Sequence, residues 1–185
     1  MHAKILRWQV WLTDSDPPIW RRFQISDDYT LAQLHQVLQP VMGWQNHHAY
    51  RFNLRGDRYE PLTQRNTTPA FDATTVTLAS LNLQVGDRVT YTYNLSDGWL
   101  QTLEIETILN PDASLQIPLC LEGERACPPE DCGGIWGYED FLDRLSDPED
   151  PEFDDLLNRL GDFDPEAFDL KAVNRQLSLL AKQAS

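Results

Sequence analysis

Within the first fifty residues the apolar pattern changes period, and that change restricts the fold more than any other feature of the chain. In AKILRWQVWL, Leu6, Trp8, Val10 and Leu12 alternate with Ile5, Arg7, Gln9 and Trp11. In IWRRFQI, Ile19, Arg21, Phe23 and Ile25 alternate with Trp20, Arg22 and Gln24. Such alternation puts one set on each side of a strand. The TDSDPP between the runs is rich in Asp and Pro, which fix turns, so the two strands pair as a hairpin. TLAQLHQVLQPVMGW then repeats Leu31, Leu34, Leu38, Val41 and Met42 at helical spacing, with Thr30 and Gln33 at capping-box separation. This predicts a helix ending near Gly43, with Pro40 kinking it or ending its regular part.

AYRFNL reads as a strand, RGDRYEP as a turn and TQRNTTPAFDATTVT as a loop. A terminal hairpin follows. Val89, Tyr91, Tyr93 and Leu95 share one face, SDG turns the chain, and Trp99, Leu103, Ile105 and Thr107 return on alternate positions. The order strand, strand, helix, strand, hairpin predicts an α+β domain over 1–110, with a mixed β-sheet and one helix packed across it. That order is β-grasp-like, an analogy that says nothing of function. Leu34, Leu38 and Met42 are the stripe that such packing demands.

Past Asn110 the composition shifts. Residues 111–185 read as a Cys/Pro/Gly loop followed by two or three short acidic helices, punctuated by Pro148, Pro151, Gly161 and Pro165. Their apolar stripes are Phe141, Leu142 and Leu145; Leu156, Leu157 and Leu160; and Phe168, Leu170, Val173, Leu177 and Leu180. Left alone, these stripes would be exposed, so this part is expected to pack on the sheet domain as an appendage, giving a single compact unit. Net charge is −14, and residues 112–185 carry 6 Lys+Arg against 18 Asp+Glu. A surface this negative disfavours nucleic-acid binding, which depends on neutralising phosphates. No segment approaches the roughly 20 apolar residues of a membrane span. The alternating amino terminus is unlike a secretory signal. A cytoplasmic location is expected.

The stretch CLEGERACPPEDCGG concentrates the candidate chemistry. Cys120, Cys127 and Cys132 are separated by six and four residues. Structural zinc sites present pairs two to four residues apart and need four ligands. Only the second gap fits, and a distant group such as His48 or Asp131 would have to complete the set. Free thiols are the alternative, and in a reducing compartment a disulfide is disfavoured. Pro128 and Pro129 stiffen the stretch, and Gly133 and Gly134 allow a sharp turn. Glu130 and Asp131 between them are either acids offered to a partner or internal braces that accept from backbone amides and from Arg21 or Arg22.

A second constellation joins Trp44, His48, Asp97 and Trp99. In the expected topology the end of the helix and the terminal hairpin come together, so two indoles, an imidazole and a carboxylate could surround one groove. The alternative makes both Trp residues core and leaves Asp97 to the SDG turn.

PPIWRR, the TL-x-x-LH helix ending in MGW, His48 with Phe52, SDGW, C-x-x-G-x-x-ACPPEDCGG-x-x-GY and the late FDPEAFDL-x-x-VN together resemble the plasmid pRiA4b ORF-three-like family. The resemblance spans nearly the whole chain. It implies little about activity, because the family has none established, although some members carry a transposon-resolvase label. Serine resolvases need an activated Ser among several Arg and a basic helix-turn-helix. Here Arg21 and Arg22 are adjacent with no Ser beside them, and RQLSLLAKQ is hardly a basic recognition helix. Where the family writes Asp-Phe-Gly-Asp-x-Trp-x-His, this chain has Asn94 for the first Asp and Gln101 for the His. Any metal or proton chemistry of those two groups in relatives is weakened or absent here.

The residues therefore point first to a non-enzymatic protein- or peptide-binding module without a cofactor. Its ligand or partner residues are Arg21, Arg22, Trp44, His48, Asp97, Trp99, Glu130, Asp131 and Tyr138. A hydrolytic, metal-dependent enzyme and a nucleic-acid accessory protein of mobile elements are the alternatives.

Overall fold

The alternation of the opening runs becomes two long strands in the computed structural model, which describes residues 3–63, 68–112, 114–161 and 163–183. β1 (Ile5–Leu12) and β2 (Trp20–Ser26) form the expected antiparallel hairpin, with Trp8 opposite Phe23 and Val10 opposite Arg21. α1 (Leu31–Met42) follows, then β3 (Tyr50–Leu54), β4 (Asp57–Glu60), β5 (Phe71–Asp72), β6 (Arg88–Tyr93), β7 (Trp99–Leu109) and β8 (Leu119–Glu124). The strands form one sheet of eight in the order β5-β4-β3-β6-β7-β1-β2-β8. Every neighbouring pair is antiparallel except β4 and β5. The fold is thus α+β with a mixed sheet, while the finer β-grasp-like order is not confirmed.

One face of the sheet holds the core. Trp8, Val10 and Leu12, Phe23 and Ile25, Phe52, Tyr91 and Tyr93, and Trp99, Leu103 and Ile105 are all buried there against Leu34, Leu38, Val41 and Met42 of α1. Full burial of each such side chain contributes about 2 kcal/mol. The capping box of α1 forms as its spacing demands: Gln33 N donates to Thr30 Oγ1 at 3.2 Å, and Thr30 N donates to Gln33 Oε1 at 2.8 Å. The helix runs through Pro40 to Met42 and ends at Gly43 in the left-handed conformation. A polar network also lies under α1. His35 Nδ1 lies 2.7 Å from the Tyr91 hydroxyl and its Nε2 2.7 Å from Asn46 Oδ1, while the imidazole stacks on Tyr50 at 3.6 Å. The opposite face of the sheet is polar, with Arg22 paired to Glu106 and Glu122, Arg88 to Glu104, and Arg51 and Arg58 to Glu60.

Two segments differ from their sequence reading. RGDRYEP contains more than a turn, because Asp57–Glu60 pairs with β3. LCLEGE, expected to be part of a loop, is β8 and pairs with β2. Gly123 is there for clearance: a Cβ would lie 2.5 Å from Arg21 Cδ and 2.8 Å from the Trp20 carbonyl. The long polar loop contains β5, and its residues 64–67 lie outside the described residues.

Among the described residues, β8 is followed by α2 (Gly134–Leu145), α3 (Phe153–Leu160) and α4 (Leu170–Gln183). Their stripes meet the core through Phe141 and Leu142 on α2, and through Leu170, Val173, Leu177 and Leu180 on α4. Leu156 of α3 is buried, while the side chain of Leu160 lies outside the described residues. α4 packs on β8 and α1.

Candidate functional site

Arg21 ties the elements of the site together. It points inward from β2 and is 2% exposed, and four of its five N–H donors go to main-chain oxygens. Nε donates to Val41 O at the end of α1, Nη1 to Trp20 O and Glu124 O, and Nη2 to Arg125 O, at 2.7–3.0 Å. The guanidinium also lies 4.1 Å from the ring centre of Phe168. Burial lowers its pKa. The fork geometry of Arg lets one residue satisfy carbonyls from three chain segments at once. This overturns the expectation that Arg21 or Arg22 braces Glu130 and Asp131, since Arg22 is on the opposite face of the sheet with Glu106 and Glu122.

The loop between β8 and α2 is held by α1 and the sheet. Trp44 Nε1 donates to Pro128 O at 3.0 Å, and Gln45 N donates to Glu130 Oε1 at 2.6 Å. The Tyr93 hydroxyl donates to the same Glu130 oxygen at 3.2 Å and receives the amides of His47 and His48. Its burial raises the phenol pKa. Glu130 is therefore partly the brace that the sequence suggested, with amide and hydroxyl donors in place of an arginine. Its other oxygen lies 3.7 Å from His48 Nε2 and 3.9 Å from His47 Nδ1. The Asp131 side chain is 67% exposed, with Oδ1 3.0 Å from His48 Nε2. That contact is close but falls short of hydrogen-bond alignment.

Asn94, not Asp97, builds the SDG turn. Its Oδ1 accepts from the Ser96 hydroxyl and from Asp97 N, while its Nδ2 donates to Asp131 Oδ1 at 3.2 Å. An amide suits this place because a carboxylate would face Asp131 with like charge. Gly134 abuts the same turn. Its φ is +73°, and a Cβ there would lie 2.3 Å from Asp97 O. Asp97 Oδ2 is buried and has no hydrogen-bond partner among the described residues.

The two tryptophans do not share an open groove. Trp44 stacks on Tyr93 at 4.9 Å and lies 5.9 Å from Trp99, but Trp99 is only 1% exposed. Gln101, two positions along β7, is fully buried with neither amide atom hydrogen-bonded among the described residues. Tyr138 is likewise buried, and burial pushes its phenol up to about 12.

The open space lies on the other side of Trp44. A groove of about 1040 Å³ runs between the end of α1, the Pro128–Asp131 loop and the start of α4. Trp44, Phe163, Phe168 and Val173 supply apolar walls; Glu130, Asp131 and Asp169 supply carboxylates; and Arg21 forms part of the floor. Trp44, Glu130 and Asp131 are thus brought together as expected, with Arg21 beneath them. His48 lies behind the acidic loop, while Trp99, Asp97 and Tyr138 belong to the packing around it. Sequence reading missed Phe163, Phe168, Asp169 and Val173. Phe168 and Val173 were legible as a stripe, but their place opposite Trp44 depends on how the tail returns.

Cys120 and Cys127 are buried, Cys132 is half-buried, and all three are free thiols. Burial pushes Cys120 and Cys132 up to about 11 and Cys127 up to about 12. Among the described residues, no three of His, Cys, Asp and Glu converge in a way that could hold a metal ion. No helix among them is long and apolar enough to cross a membrane.

Comparison with known proteins gives a match over most of the chain from three directions. Uncharacterized protein y4hQ of Sinorhizobium fredii (strain NBRC 101917 / NGR234) is 33% identical over 184 residues, covering 98% of this chain and 94% of that protein. The crystal structure of a protein of unknown function, MM3350 from Methanosarcina mazei Go1, matches with a TM-score of 0.85 at 34% identity, covering 92% of this chain and 98% of the other. The model of the family described as plasmid pRiA4b ORF-3-like protein matches residues 4–172, which include the hairpin, the Pro128–Asp131 loop and the start of α4. The chain belongs to the plasmid pRiA4b ORF-3-like protein family.

Proposed function

We propose that this protein is a non-enzymatic binding module that takes a segment of a protein or peptide into the groove between α1, the Pro128–Asp131 loop and α4, and that it works in the cytoplasm without a cofactor. The supporting observation is the groove itself, about 1040 Å³ with aromatic and aliphatic walls and with carboxylates from the Pro128–Asp131 loop and the start of α4. Apolar walls give a bound side chain a place to leave water, and a few polar groups set its orientation. The same carboxylates would repel a phosphate backbone, which weighs against the nucleic-acid alternative. The hydrolytic alternative draws on His48 beside Asp131. Nucleophilic catalysis would need a hydroxyl or thiol within reach of that imidazole, and the half-buried Cys132 has its pKa raised by burial instead of lowered.

The test is an unbiased selection of random peptides displayed on phage, followed by anisotropy measurements on the synthetic peptides that emerge. Ala172→Trp, which fills the groove wall, should abolish their binding while leaving the melting curve intact. Gln176→Trp, from an exposed position on the same wall, is the second variant. Peptides that bind both variants as well as the parent would refute the groove.

A further inference from the structure

Resting on that reading, we infer that the occupant of the groove is a basic segment, with a Lys or Arg side chain seated at Glu130 and Asp131 beside a large apolar side chain lying between Trp44 and Phe168. The distribution of ion pairs carries this. Five half-buried or buried carboxylates elsewhere in the molecule face arginines: Glu60 meets Arg51 and Arg58, Asp87 meets Arg55, Glu104 meets Arg88, Glu106 meets Arg22, and Asp150 meets Arg144. Glu130, which opens on the groove, differs from these five. Its side chain is 13% exposed, yet among the described residues no Lys or Arg lies within ion-pair distance of it or of Asp131, and only His47 and His48 approach.

Among the described residues, the one Arg or Lys that lines the groove is committed elsewhere. Arg21 is committed to Val41, Trp20, Glu124 and Arg125 carbonyls. Asp169, the third carboxylate of the groove, accepts from Ala172 N at the start of α4 and adds a further negative charge. Among the described residues, the groove thus carries three carboxylates against a single guanidinium, four of whose five N–H donors are committed to main-chain carbonyls. A partner's ammonium or guanidinium would complete the pairing that the fold leaves unmade, and the low-dielectric walls would strengthen it. An acidic segment would meet like charge, so the same arrangement selects against it.

The phage selection reads this directly. Enriched peptides should carry Lys or Arg next to Leu, Phe or Trp, with Asp and Glu depleted. Replacing that basic residue by Gln in a synthetic binder should weaken binding by about tenfold, and Glu130→Gln with Asp131→Asn should weaken the parent peptide equally. The Gln peptide should be indifferent to those two protein substitutions, giving a closed double-mutant cycle. Both substitutions keep shape, and Asn tolerates the positive φ of Asp131, so melting curves should match the parent. Binders without basic enrichment that Ala172→Trp still blocks would overturn the inference and leave the groove standing. Failure of the selection to enrich any peptide, or binding insensitive to Ala172→Trp, would overturn both.

Discussion

Asn174 on α4 pairs with Cys120 on β8 as if it were one residue of a further strand. Its Oδ1 accepts from Cys120 N and its Nδ2 donates to Cys120 O, each at 2.8 Å. β8 is the edge of the sheet, where unpaired amides and carbonyls invite association with another chain. One side-chain amide therefore fastens the acidic tail to the sheet and blunts that edge.

Replacing Asn174 by Leu should remove both bonds and destabilise the fold by about 2 kcal/mol, read as a lower midpoint in urea. The freed edge should also promote self-association, visible by sedimentation as protein concentration rises. A variant as stable and as monodisperse as the parent would show that α4 is held by its apolar face alone.

Gly134 and Gly43 both have positive φ, but only Gly134 is crowded. A Cβ at Gly134 would meet Asp97 O at 2.3 Å, whereas one at Gly43 meets nothing within 4 Å. Gly43→Ala should cost about 1 kcal/mol from backbone strain. Gly134→Ala should cost about 3 kcal/mol, because the loop beneath α2 must also move. Equal costs in chemical denaturation would mean that the contact with Asp97 relaxes freely.

Stability should fall on mild acidification through His35. Burial lowers its pKa from 6.5 to about 4. The unfolded chain therefore binds a proton that the folded chain refuses. The contribution is complete above the unfolded value and is lost as pH falls through the folded one. Between about pH 7.5 and 5 the loss from this residue is about 2 kcal/mol. His35→Gln should flatten that part of the stability profile, whatever its effect at pH 7.5, and an unchanged slope would remove His35 as its source.

The thiols should be inert until the chain unfolds. With Cys120 and Cys132 pushed up to about 11 and Cys127 to about 12, little thiolate exists near neutral pH. Labelling by a thiol reagent should follow the denaturation curve, and dialysis against a chelator should leave the melting temperature unchanged. One tightly held zinc per chain, lost with Cys127→Ser, would instead assign these residues to a metal.

The hairpin, α1 with its capping box, and most of the inward faces of β6 and β7 were legible because each follows from local periodicity, whereas Leu95, read onto the β6 face, lies past the strand and is exposed. Thr30 and Gln33 are three residues apart, and Trp8, Val10 and Leu12 need only a strand's own geometry to share a face. β8 was hidden for a physical reason. Gly123 looks like turn punctuation, yet it is glycine because the Arg21 side chain crosses it from the neighbouring strand. Likewise, Glu130 and Asp131 could be singled out between their prolines and glycines, but nothing local shows that arginine is absent around them. Arg21 is drawn away by four carbonyls that only the assembled chain brings together.

Sequence alone determined the α+β class, the first hairpin, the capped helix, the acidic helical tail and the identity of the stiff acidic loop, since all of these depend on residues near one another in the chain. Tertiary structure alone decided that Phe168 and Val173 come to face the groove beside Trp44, that Trp99 is buried behind it, and that Asn174 closes the edge at Cys120. Each of those contacts joins residues more than fifty positions apart. Such contacts are set by which surfaces leave water together, which no local pattern encodes.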